Sequence, residues 1–162
     1  MKAFIVAIAL LSLANGLYLR THAFKYNEEI PEENMTTNPT FEWQFPPEGT
    51  KTFVFFATDL TPSVGGLRWV VYDIPSNANM ITKGYGDGKS GEASGVNFLP
   101  FKLRSHAEGS GDHQVEFSLY ATEIKSMAEW FGTKEQVTKN DIVGAMEGKV
   151  LDFATFIGVI HA

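Results

Sequence analysis

The stretch TDLTPSVGGLRWVVYDIP, residues 58–75, sets a turn cluster against an apolar run and leaves one cation, Arg68, at the seam. A guanidinium is a permanent, planar fork of donors suited to phosphate or carboxylate. Read alone, Arg68 is either a ligand contact or a solvated charge at a strand start, where long cations are ordinarily found. Other motifs lead less far. Gly86, Gly88 and Gly91 have the G-x-G-x-x-G spacing that cradles a pyrophosphate, but no helical pattern follows to present its N-terminus. GDGKS lacks the leading glycine of a phosphate loop, because Lys83 stands there and the glycine is Gly84. Both readings give way to a flexible hairpin. The four histidines, His22, His106, His113 and His161, include no i, i+4 pair, so no metal set is expected. No G-x-S-x-G turn and no cysteine occur, which removes that class of serine nucleophile and all thiol and cysteine–zinc chemistry. No catalytic residue and no cofactor is assigned.

The elements that must hold Arg68 read mainly as strands. FEWQF alternates Phe41, Trp43 and Phe45 against Glu42 and Gln44, the pattern of a half-buried strand. KTFVFFATD and RWVVYDIP are unbroken β-branched and aromatic runs, as expected of strands covered on both faces. HQVEFSLYA alternates again, so Trp69, Val71, Phe117 and Leu119 are expected in the core. From Ser76 to Gly111 glycine, serine and charge predict a long irregular connection. Thr138 and Asp141 resemble a capping box ahead of Ile142, Met146 and Val150 at fourfold spacing, which predicts a short amphipathic helix. LDFATFIGVI supplies a last strand, and residues 22–39 an irregular, acidic lead-in.

With 162 residues and 44% apolar composition the chain suffices for one core and is short for two. Lys2, the apolar run Ala3 to Ala14 and the small exit at Gly16 predict a secretory signal peptide over 1–16 and a single domain over 17–162. That run is too short to span a bilayer, which takes roughly 20 residues. Losing Lys2 leaves 12 cations against 19 acids, a net charge of −7. Such a surface does not attract nucleic acid. If exported through a glycosylating pathway, NMT at Asn34 is a glycosylation sequon.

Four stretches in order, NPTFEWQFPPEGTKTFVFFATDLTP, RWVVYDIP, HQVEFSLYA and AMEGKVLDFATFIGVI, resemble the phosphatidylethanolamine-binding protein family, especially its small secreted and bacterial Raf-kinase-inhibitor-like members. The resemblance spans about residues 34–162. It implies a β-sandwich, a large antiparallel sheet packed on a smaller one, with a C-terminal helix. It also implies a small pocket for phosphate or a phospholipid head group, on which this sequence departs from the family pattern. The family's Asp-Pro-Asp-Ala-Pro turn is TDLTP here, so Thr58 and Leu60 replace its two acids, Asp59 is displaced by one residue and Pro62 remains. Arg68 stands for the histidine before the tryptophan. The glycine–proline segment is reduced to GVNFLP, keeping Gly95 and Pro100, and His113 matches the histidine that opens the next strand.

The resemblance thus makes Asp59, Pro62, Arg68, Pro100 and His113 the ligand-binding candidates of a secreted, non-enzymatic binding protein. The ligand would be a phosphate-bearing or other anionic group. The alternative is a protein-interaction module, inhibitor-like or structural, with a degenerate pocket. Its sign would be an exposed apolar patch over residues 98–103.

Overall fold

In the computed structural model the described residues are 16–61, 66–85, 96–97, 101–103, 111–132 and 138–161. Residues 1–15 of the predicted leader, Pro62, the glycine motif at 86–91, Gly95, Pro100 and His106 lie outside them. The described strands are β1 (Tyr18–Thr21), β2 (Phe41–Gln44), β3 (Thr52–Asp59), β4 (Gly66–Pro75), β5 (Met80–Ile81), β6 (Val96–Asn97), β7 (His113–Thr122) and β8 (Val150–Ile160). They form an antiparallel sheet of order β6-β4-β3-β7-β8 and a smaller one of order β1-β2-β5. The helices are α1 (Met127–Phe131) and α2 (Lys139–Met146). This is the two-sheet, mainly β fold that the resemblance implies.

The unbroken apolar runs have a simple cause: β3 and β4 are covered on both faces. On one face Phe41 and Trp43 of the small sheet meet the large one, with Phe41 and Phe117 ring centres 4.6 Å apart and Trp43 and Phe53 5.4 Å apart. Trp69, Val71, Phe117 and Leu119, the four expected core residues, are fully buried there. On the other face Val54, Phe56, Val70 and Tyr72 pack under Met127 of α1 and Ile142 and Met146 of α2. The predicted capping box is present, with Asp141 N–H donating to Thr138 Oγ1 and Thr138 N–H to Asp141 Oδ2 at 2.7 Å. Val150 departs from the expected helical stripe: α2 ends at Met146, and Val150 is an exposed first residue of β8.

Other expectations need correction. Residues 76–111 are not wholly irregular, because β5 and β6 extend the two sheets and Phe101 and Leu103 enter the core. The lead-in is also packed. Ile30 N–H donates to the Val159 carbonyl at 2.8 Å and Val159 N–H to the Glu28 carbonyl at 2.9 Å, so it covers the edge of β8. Such cover protects an otherwise open row of strand donors and acceptors. A Cβ on Gly158 would stand 2.5 Å from Ile30 Cγ1, so this approach requires glycine. Asn34 is only 1% exposed, and its Nδ2 donates to the Thr37 carbonyl at 3.3 Å.

Candidate functional site

The site is assembled by alternation, a hairpin and one irregularity. On β3 the side chains of Phe53, Phe55, Ala57 and Asp59 follow one another on the face turned to the small sheet, so the last of an apolar row is a carboxylate. The β3–β7 register pairs Asp59 with Val115, and His113 lies two residues along on the same face. Arg68 needs more explanation, because its neighbour Trp69 already points to that face. Ala57 pairs with Trp69 but Thr58 pairs with Leu67, leaving Arg68 as an extra residue in β4. A β-bulge of this kind turns its residue out of strict alternation, and here it carries the guanidinium to Asp59.

Three donors meet the Asp59 carboxylate. Arg68 Nη2 donates to Oδ2 at 3.1 Å, His113 Nδ1 lies 2.9 Å from the same oxygen, and Thr61 N–H donates to Oδ1 at 2.9 Å. The Thr61 bond, from an N–H two residues on, is the Asx-turn habit of aspartate and fixes the chain as it leaves β3. The Asp59 side chain has no exposure, that of His113 4% and that of Arg68 14%. Burial pushes the carboxyl upward, but the His113 bond, the Thr61 N–H and Arg68 together outweigh it and hold Asp59 at about 2. It is ionised through the neutral range. As an ionised carboxylate only accepts, the His113 proton on this side sits at Nδ1, and Nε2 accepts in the neutral ring and donates in the charged one.

Of the five candidate residues the structure brings three together, Asp59, Arg68 and His113, while Pro62 and Pro100 lie outside the described residues. Asp59 proves to be the hub of the cluster, with both oxygens engaged by the protein itself. The segment after Pro100 packs nearby, with Phe101 edge-on to Trp69 at 5.1 Å. Phe101 and Leu103 are buried, so the expected exposed patch is not found over the described part of 98–103. Val115 is fully buried in the core. Among the described residues, no group of three His, Asp or Glu side chains is placed to hold a metal ion, and no helix is long and apolar enough to cross a membrane.

The comparisons agree with the architecture. The sequence pattern of the phosphatidylethanolamine-binding protein family matches residues 20–161. A UPF0098 protein of Aquifex aeolicus is 30% identical over 153 residues, covering 86% of this chain and 85% of that one. Among solved structures, E. coli YbcL, described as a member of the mammalian PEBP family, superposes with a TM-score of 0.78 at 18% identity over 91% of this chain and 99% of its own. A PEBP homologue from Chlamydia trachomatis gives 0.74 at 20% identity over 92% and 99%. At those identities the two structures speak to the fold.

Proposed function

This chain belongs to the phosphatidylethanolamine-binding protein family, and from that premise we propose that it is an exported binding protein holding a phosphate-bearing or other anionic ligand at Arg68 and His113 without transforming it. The observation that carries the reading is the convergence of a guanidinium and an imidazole on one buried carboxylate. With His113 neutral, Asp59 and Arg68 cancel. With His113 protonated the cluster has one net positive charge and Nε2 becomes a donor. The charged ring is therefore the form that favours an anion at this site.

The same geometry speaks for binding over catalysis. A carboxylate held at about 2 is a poor base near neutrality, where an effective general base is poised close to the working pH. Export rests on the sequence alone: Lys2, the apolar run and the small exit at Gly16. The interaction-module alternative has less support, since Phe101 and Leu103 are buried.

The test is titration with inorganic phosphate and with phosphoethanolamine, at one fixed pH, for wild type, Arg68→Lys, Arg68→Ala and His113→Ala. Wild type should bind both probes, and His113→Ala should bind them more weakly. Arg68→Lys keeps a cation beside Asp59 and the fold with it, yet should bind more weakly for want of the paired donors. Affinity unchanged in both Arg68 variants overturns the assignment. Export is checked by the N-terminal mass of protein recovered outside the cytoplasm, which should begin near Leu17; an intact Met1 in a soluble cytosolic pool contradicts it.

A further inference from the structure

The face of the large sheet turned away from Asp59 carries a concavity. Phe56, Thr58, Glu116 and Tyr120 point to that face by alternation along β3 and β7, and α2 leaves part of it uncovered. Between these strands and the last turn of α2 lies a cavity of about 520 Å³. Small-molecule sites have volumes of roughly 300–1,000 Å³, an apolar lining and a few polar groups.

The walls have that mixture and one sign of charge. The rings of Phe56 and Tyr120 meet edge to face at 5.7 Å, with Val143 and Met146 beside them in the lining. Glu116 and Glu147 are the ionisable side chains with them apart from the Tyr120 phenol, and the described lining contains no Lys, Arg or His. Glu116 Oε1 accepts from Ser118 Oγ at 2.8 Å, which orients its carboxylate. Burial, and after it the Glu116 charge, raises the phenol of Tyr120, so it remains a neutral donor. The negative end of the α2 dipole arrives at the same place, and the last turn has no basic residue to offset it. Lys149, next to the lining, is held by Glu123 Oε1 at 3.0 Å.

Gly144 points the same way. It lies inside an eight-residue helix, where glycine is a weaker choice than alanine. Its backbone does not require glycine, as its φ is not positive, and a Cβ there would meet nothing within 4 Å. Neither strain nor crowding explains the missing side chain. Its effect is to keep one wall of the cavity open.

We infer that this cavity is a second ligand site, on the opposite face from the Asp59 cluster, that takes a small organic ammonium compound. Its hydrocarbon body would lie among Phe56, Tyr120 and Met146, and its cationic head would be met by the Glu116 and Glu147 carboxylates. The probe is n-hexylammonium, with n-hexanol as the neutral control, titrated into the full chain and followed by amide NMR. Hexylammonium should move the Tyr120, Gly144 and Gly148 amides, and hexanol should bind about tenfold more weakly, since charge-assisted contacts are about twice as strong as neutral ones. Glu116→Gln with Glu147→Gln should bring the ammonium down to the level of the alcohol. Gly144→Leu should fill the cavity and abolish binding of both without lowering the thermal midpoint, because leucine favours a helix. Equal affinity for the two probes, unaltered binding in the stable Gly144→Leu variant, or no amide shift at these positions overturns the inference.

Discussion

Replacing Asp59 by asparagine isolates the charge at the centre of the cluster with little change of shape. In the folded chain the carboxyl is held at about 2, against an ordinary value of 3.8. The depressed value means that the folded state binds its proton less readily than the unfolded chain does. The resulting stability is fully present above about pH 4 and is lost as pH falls through about 2. Converted at about 1.4 kcal/mol per unit, it amounts to about 2 kcal/mol. Asparagine also leaves Arg68 and His113 buried beside a neutral amide, although its Oδ1 can still accept from Thr61 or Arg68. Breaking a buried ion pair costs about 3–5 kcal/mol, and the retained acceptor places this case near the lower end, at about 3 kcal/mol. Urea unfolding of both proteins from about pH 7 down to about pH 2 measures it, with a midpoint change of about 1–3 M near neutrality. The difference between the two proteins should shrink by about 2 kcal/mol across the acid limb, while other carboxylates such as Glu42 titrate alike in both. A loss below about 1 kcal/mol near neutrality, or a difference that does not change with pH, refutes the reasoning.

Trp69→Ala removes a fully buried ring packed on Phe55 and Phe101 and should cost about 3–5 kcal/mol in chemical unfolding; under about 1 kcal/mol would contradict its core placement. Gly158→Ala drives a methyl into Ile30 and Phe24 and should cost about 1–3 kcal/mol, with faster hydrogen exchange at the Asn27 and Ile30 amides that bond β8. Unchanged exchange there would show that the lead-in is held by other contacts. Asn34, buried with Nδ2 engaged, should carry no glycan in protein made by a glycosylating host, as read by intact mass. A glycosylated, folded product would show that this corner opens.

The long strands of the large sheet, β3, β4, β7 and β8, were legible because their burial writes itself into sequence, whereas the two-residue β6 was not. β3 and β4 lie under helices as well as under the small sheet, and so lack polar alternation, whereas β7 keeps Gln114 and Glu116 between its core residues. The small-sheet strand β1 was legible in principle, since Leu17, Leu19 and Thr21 are buried and Arg20 faces Glu42, but it is four residues long and follows the apolar leader directly. Ser126 with Glu129 spells the start of α1 in the same way that Thr138 and Asp141 spell that of α2, with Ser126 Oγ accepting the Glu129 N–H at 3.1 Å. What anchors α1 could not be read. Asp73, at φ 57°, takes the Met127 and Ala128 N–H groups at 2.6 and 2.9 Å, a contact that spans more than fifty residues and depends on a second irregularity in β4. The site divides similarly. Arg68 and His113 were found through resemblance, but the central role of Asp59 depends on a bulge that no local pattern announces, because one residue too many in β4 turns Arg68 toward it.

The central claim, that Arg68 and His113 form one anion site, is tested most directly by the imidazole ¹⁵N resonances of His113 during a phosphate titration at about pH 5.5. Nδ1, held by Asp59, should change little while Nε2 shifts and saturates with phosphate, and Arg68→Lys should require more phosphate for the same shift. Phosphate binding that leaves Nε2 unmoved, or an Nε2 shift that is the same in Arg68→Lys, would contradict it.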